Sequence, residues 1–171
     1  MNRPSASILA VIAAAILTTV TALPAAAAGK ITIPPTATID PNAGVNAKVR
    51  DECVPDARVT ELLKEQLKAA GYDVTVAKQA GGGKSLQLTI LNVTGVGGGA
   101  WSGPKSMTVS GKLYQDGKVV GSFNGRRTSG GGVFGAYKGT CSIIGRCAKA
   151  LAKDITVWLE NPTMDARLGE M

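Results

Sequence analysis

The chain has 171 residues, carries 19 basic against 12 acidic residues for a formal net charge of +7, and contains no histidine. This length suits one core-forming domain, and the lack of histidine excludes a Ser-His-Asp triad, a Cys-His pair and any imidazole metal site. The basic residues are scattered, aromatic residues are few, and the acidic residues form no paired motif. We therefore expect a protein that is not an enzyme, binds no nucleic acid and needs no metal or cofactor.

Residues 1–28 have the layout of a secretory signal peptide. A start that carries Arg3 is followed by an apolar run from Ile8 to Leu17 and by small residues up to Ala28. The apolar run is shorter than the ~20 residues that span a bilayer, and no cysteine at the cut site marks a lipoprotein. Cleavage after Ala28 is predicted, which leaves a periplasmic or secreted protein with no transmembrane segment in its mature chain.

The first part of the exported chain predicts a strand and a helix. Lys30 to Ile39 is rich in β-branched residues but contains two prolines, so it is expected to form an edge strand or two short pieces. Residues 40–51 are polar and are predicted to be a loop. A helix is predicted to begin at Pro55, with Asp56 as its N-cap and Gly71 as its C-cap glycine, because leucine and valine recur on one side.

Four further strands are predicted at residues 72–78, 85–93, 107–114 and 118–126. The second of them is apolar on both faces, which indicates a central position in the sheet. Asp116-Gly117 is the preferred core of a tight hairpin turn. The alternation of apolar residues changes within the last strand, which predicts a bulge near Gly121.

The most regular pattern is a second helix. Apolar residues recur at helical spacing from Ile144 to Leu159, and Asn161-Pro162 ends the helix. Residues 164–171 are expected to be a flexible tail after a single domain over residues 29–163. The element order predicts an α+β fold, with a mainly antiparallel sheet of four to five strands and two helices packed on one face.

Three cysteines lie in the exported part: Cys53, Cys141 and Cys147. An oxidising compartment favours one disulfide and one remaining thiol. A bond between Cys141 and Cys147 requires Cys141 to precede the second helix, because these positions on one helix would lie ~9 Å apart along its axis. Otherwise Cys53 pairs with one of them across a long loop. Both pairings are open on this reasoning, and the long-range bond is preferred.

Two glycine-rich segments resemble nucleotide-binding motifs but lack their structural context. Residues 81–85 look like the end of a P-loop, yet a predicted strand follows where a P-loop requires a helix. Residues 130–135 have the glycine spacing of a dinucleotide-binding loop, but no second parallel strand follows to complete the unit. Both segments are interpreted as connecting loops.

A third glycine-rich segment, residues 95–104, contains a tryptophan that either packs into the core or faces a ligand. Together with nearby basic and aromatic residues, it predicts one glycine-rich, basic, aromatic surface. The candidate binding residues are Trp101, Lys105, Arg126, Arg127 and Tyr137.

Three segments carry a resemblance to a protein family. Residues 98–105, 139–147 and 154–159 resemble blocks in small exported proteins of proteobacteria whose function is unknown. The architecture is also loosely similar to the amino-terminal domain of TolB and to the curli-secretion lipoprotein. This resemblance implies a periplasmic, non-enzymatic role at the cell envelope, although the chain lacks a lipidated cysteine.

Two functional hypotheses follow. The first is an exported accessory or binding protein of the envelope that acts, without catalysis, by contact with another envelope protein. The alternative is a binder of a small anionic ligand, or an enzyme, that uses the Trp101 loop together with Arg126 or Arg127 to meet the anion.

Overall fold

The computed structural model describes residues 29–78, 82–95, 104–130 and 139–171. These residues form seven strands and three helices, so the predicted α+β class is confirmed, with more strands and one more helix than expected. The elements in chain order are β1 (Lys30–Ile33), β2 (Thr38–Val45), α1 (Ala47–Cys53), α2 (Pro55–Ala69), β3 (Asp73–Val76), β4 (Lys84–Thr94), β5 (Lys105–Gln115), β6 (Lys118–Ser129), α3 (Thr140–Trp158) and β7 (Ala166–Gly169). The signal-peptide prediction concerns residues outside this description.

The strands form one sheet in the order β3-β1-β4-β5-β6-β7, with β2 also paired to β4. Antiparallel pairing joins the three longest strands, β4, β5 and β6, and shorter parallel pairings add the others. The sheet is therefore mainly antiparallel, and β4 has the predicted central position. The two prolines split the first predicted strand into β1 and β2, which follow each other along one edge of β4.

The hairpin between β5 and β6 has the predicted turn. Asp116 and Gly117 both have positive φ angles, 50° and 81°, as a type I′ turn requires. The predicted bulge is also confirmed. Leu113 pairs with Gly121 and Tyr114 pairs with Val119, which leaves one extra residue on β6 beside Gly121.

The prediction of a loop at residues 40–51 is wrong. β2 extends to Val45 because its ends pair with β4 around an irregular section between Ile39 and Gly44. α1 then begins, with the Asn46 side chain accepting a hydrogen bond from the Lys48 backbone N–H at 2.9 Å. Only Val49 is buried on this short helix, so the sequence carries no apolar stripe that would reveal it.

The predicted N-cap of α2 is also wrong, although its C-terminal end is as expected. Val54, with φ 43°, is both the C-cap of α1 and the N-cap of α2, and it makes no side-chain capping bond. Asp56 instead lies in the first turn, where its negative charge is favourable beside the helix N-terminus. Gly71 follows the helix with φ 86° and provides the predicted left-handed glycine.

The segment predicted as a flexible tail contains β7, which pairs in parallel with β6. Leu168 lies beside Gly125, and the Asp165 side chain and backbone N–H bond the Ser122 hydroxyl at 2.9 and 2.8 Å. A four-residue strand that depends on a distant partner gives no local pattern in the sequence. The tail prediction therefore failed because the ordering contacts are long-range.

The helices and the sheet enclose one core. α3 packs on β5 and β6, and α1 and α2 pack on α3, so the helices cover one side of the sheet, as predicted. We call this side the helix face and the other side the open face. On the helix face, Phe123 meets Trp158 edge-on with ring centroids 5.0 Å apart. Gly111 permits this packing, since a Cβ there would overlap the Phe123 ring.

Candidate functional site

The structure separates the predicted binding residues that it describes. Lys105 begins β5 on the helix face and is only 1% exposed. Arg126 and Arg127 are neighbours on β6 and therefore lie on opposite faces, Arg126 on the open face and Arg127 on the helix face. Trp101 and Tyr137 lie outside the described residues. Lys105 and Arg127 are thus brought to the same end of the helix face, and Arg126 is not.

Arg127 already has an acidic partner. Its Nε and Nη2 atoms donate to the two carboxylate oxygens of Asp154 on α3, each at 2.7 Å. This bidentate pair raises the Arg127 pKa and links β6 to α3. Hydrogen bonds from Thr128 hold the Glu170 pKa below its ordinary value, with smaller effects from Arg127 and Arg126. Both arginines therefore lie in the field of carboxylates, which weakens the case for either as an anion receptor.

The cysteines adopt the preferred long-range pairing. Cys53 and Cys141 form a disulfide that joins the end of α1 to the first turn of α3. Cys147 stays a free, buried thiol whose Sγ donates to the Lys105 carbonyl oxygen at 3.4 Å. Burial raises the Cys147 pKa to about 11, so the thiol is neutral and poorly nucleophilic near neutral pH. Both cysteines of α3 therefore link this helix to other elements, Cys141 to α1 and Cys147 to β5.

The middle of the open face forms a concave surface of about 520 Å³, which we call the central cleft. It is built by cross-strand neighbours on β4, β5 and β6: Gln87 pairs with Lys112, and Ser110 pairs with Asn124. The residues with side chains toward this face are Gln87, Thr89, Ser110, Lys112, Tyr114, Val119, Ser122, Asn124, Met164 and Asp165.

The central cleft offers many neutral hydrogen-bonding groups and few charges. Its floor is made of amides and hydroxyls, Lys112 contributes a cation, and Asp165 is already bonded to Ser122. Val119 and Met164 add apolar rim surface, 42% and 56% exposed. The cleft therefore combines hydrogen-bonding groups with apolar surface. The described part of the chain holds no cluster of His, Cys, Asp or Glu side chains that could bind a metal ion.

The sequence carries one signal for this cleft, and it is not a motif but an alternation along β5. Polar residues occupy every second position of β5 from Ser106 to Tyr114, which is typical of a strand with one solvated face. The sequence predicts these strands, and the alternation indicates in addition that one face of β5 is exposed to solvent.

Among the described residues, no helix has the length and apolar character needed to cross a membrane.

No family model matches the sequence, and no curated protein matches it significantly. The fold is similar to several solved structures. One, described only as an uncharacterized protein, is 10% identical with a TM-score of 0.48, covering 76% of this chain and 91% of its own. The PelC dodecamer subunit from Paraburkholderia phytofirmans is 18% identical with a TM-score of 0.43, covering 75% and 93%. A minor lipoprotein from Acinetobacter baumannii is 15% identical with a TM-score of 0.43, covering 77% and 90%.

Likeness at this level assigns neither a family nor a function to the chain. The predicted resemblance to the TolB amino-terminal domain and the curli-secretion lipoprotein stays a prediction.

Proposed function

We propose that the protein is an exported, non-catalytic accessory protein of the cell envelope that binds another envelope protein through the central cleft. Export is supported by the signal-peptide pattern of residues 1–28. The Cys53–Cys141 disulfide adds support, because such bonds persist in oxidising compartments such as the periplasm. The excess of basic residues suits the anionic surroundings of an envelope.

The central cleft is the observation on which the proposal rests. In the part of the chain that the structure describes, the helices pack on one face of the sheet, and side chains of the central strands on the other face line the central cleft. Tyrosine and methionine are enriched at protein interfaces, and here Tyr114 and Met164 flank a polar floor. This combination of apolar rim and hydrogen-bonding floor favours a protein partner.

The non-catalytic part of the proposal is supported by the chemistry of the described side chains. The buried thiol of Cys147 is held neutral by its raised pKa, and the Asp154 carboxylate is committed to Arg127. With no histidine in the sequence, a general base for hydrolysis or group transfer would have to come from an isolated carboxylate or lysine.

Site-specific photo-crosslinking in living cells tests this proposal. A photoreactive residue is placed at Lys112 or Asn124 in the central cleft and, as a matched control, at Glu65, an exposed position on α2. Both cleft positions should yield the same partner by mass spectrometry, and Glu65 should not. Met164→Asp, at an exposed rim position, should abolish the adduct while leaving the thermal midpoint unchanged. The absence of an adduct from both cleft positions, or the same adduct from Glu65, would contradict the proposal.

A further inference from the structure

A second concave surface lies at the β1–β3 side of the sheet, and we call it the edge cleft. It encloses about 710 Å³, and none of its lining residues is acidic. The lining residues that matter here are Gly29, Lys30, Thr32, Thr75, Lys84 and Gln115. Gly82 and Gly83, which belong to the P-loop-like string that the proposed function leaves unexplained, also line it.

The strand pairing brings hydrogen-bond donors together in the edge cleft. Thr32 and Thr75 are neighbours across β1 and β3, and Thr32 also lies opposite Ser85 on β4. Lys84 opens β4 and pairs with Gln115. A lysine ammonium has three donors and no acceptor, and each hydroxyl can donate one hydrogen bond. The cleft therefore presents donors to any group placed in it.

Gly29 gives the edge cleft an additional property. Its carbonyl oxygen accepts a hydrogen bond from the Asp73 backbone N–H at 3.1 Å, so its position is fixed against β3. Predicted cleavage after Ala28 makes Gly29 the first residue of the exported protein, with a free α-ammonium group. That group would lie on the wall of the cleft beside Lys30 and Lys84.

We propose that removal of the signal peptide completes a binding site for a phosphate group in the edge cleft. The α-ammonium of Gly29 and the side chains of Lys30 and Lys84 supply positive charge, and Thr32 and Thr75 supply hydroxyl donors. A phosphate, with a charge of about −1.5 to −2 and several acceptor oxygens, matches this set better than a carboxylate does. The unprocessed chain lacks the α-ammonium at this place and should bind phosphate more weakly.

Two carboxylates near the cleft oppose its positive charge but do not outweigh it. Hydrogen bonds from Gln115 Nε2 and the Gly83 backbone N–H, at 2.9 and 2.8 Å, lower the Asp116 pKa and keep this carboxylate ionised. Asp73 pairs with Lys30 across β1 and β3, although it does not line the cleft. Lys118, opposite Gln115 on the hairpin, adds a further positive charge nearby, so the cations remain in excess.

The test starts from protein exported by cells, with its amino terminus determined by mass spectrometry. Calorimetric titration with inorganic phosphate compares this protein with two variants: Lys84→Met, and the control Lys149→Met, which removes the same charge from an exposed position on α3. A form that starts two residues earlier, at Ala27, displaces the α-ammonium. We expect binding about tenfold weaker for Lys84→Met and for the extended form, and unchanged binding for Lys149→Met.

The α-ammonium also predicts the pH dependence. Its ordinary pKa is about 8, so affinity of the processed protein should fall as pH rises through that value, and the extended form should show a smaller fall. Parallel titrations with glycerol phosphate and with phosphatidylglycerol vesicles distinguish a free phosphate from a lipid headgroup. A mature start other than Gly29, no phosphate binding at about 10 mM, or equal binding by the extended form would overturn the proposal. It does not depend on the proposed protein partner.

Discussion

Removal of the Cys53–Cys141 disulfide is expected to destabilise the protein severely. The bond joins residues separated by 88 positions, and the loop-closure entropy for such a separation corresponds to about 4.5 kcal/mol. The free energy of unfolding of a domain is only about 5–15 kcal/mol, so the cross-link supplies a large share of the stability. Cys141 is exposed and Cys53 only partly buried, so serine at both positions removes little packing and isolates the effect of the cross-link.

Urea unfolding followed by circular dichroism measures this effect. With a slope of about 2 kcal/mol per molar urea, the double variant Cys53→Ser, Cys141→Ser should unfold at a midpoint about 2 M lower than the wild type. A reductant should lower the wild-type midpoint to the same value and leave the double variant unchanged. A shift below about 0.5 M, or an equal loss when the double variant is treated with reductant, would refute the reasoning.

Two glycines and the free thiol give further predictions. Gly111→Ala should lose about 1–3 kcal/mol, because its methyl overlaps the Phe123 ring, whereas Gly145→Ala, with open space around the methyl in α3, should gain about 0.5–1 kcal/mol. Thermal midpoints that do not move in opposite directions would contradict this pair. The Cys147 pKa rises from 9.0 to about 11 on folding, so the stability that protonation provides is full below the lower value and is lost as pH rises toward the upper one. Urea unfolding at about pH 8 and pH 10.5 should show that the unfolding free energy of the wild type falls by about 2 kcal/mol between these pH values. The Cys147→Ala variant should lack this loss. The raised pKa of Tyr72 affects the wild type and the Cys147→Ala variant equally. Equal losses of unfolding free energy in these two proteins would therefore contradict the role of the thiol.

Local sequence signals predicted the elements whose contacts are close in sequence. The stripe from Ile144 to Leu159 defined α3, and Asp116-Gly117 defined the hairpin, because each pattern is complete within a few residues. The extension of β2 beyond Ile39 and the whole of β7 were not predicted, for the opposite reason. Both depend on strands far away in the chain, and residues 40–45 are too polar and irregular to resemble a strand.

The predicted binding surface was harder to locate, because its residues were grouped by their chemical type and not by the direction of their side chains. Arg126 and Arg127 were grouped as one basic pair, but successive side chains of a strand point to opposite faces. Applied to β6, that rule places the two arginines on opposite faces from the sequence alone. The burial of Lys105 could not be predicted in the same way, since β5 is packed by α3, where Cys147, 42 positions away, donates a hydrogen bond to the Lys105 carbonyl oxygen.

The anchoring of α3 separates the stabilising contacts of the described sheet from the proposed binding surface on its open face. α3 is held by three kinds of contact: the disulfide to α1, the Arg127–Asp154 pair to β6, and its apolar stripe against the sheet. All three lie on the helix side, and the polar side chains of the central cleft make none of these contacts with the helices. Substitutions at exposed cleft positions should therefore leave the core undisturbed, whereas substitutions on the helix face alter tightly packed contacts and should lower the stability. The same alternation of side chains along β5 and β6 thus stabilises the fold on the helix face and places polar groups on the open face of the described strands.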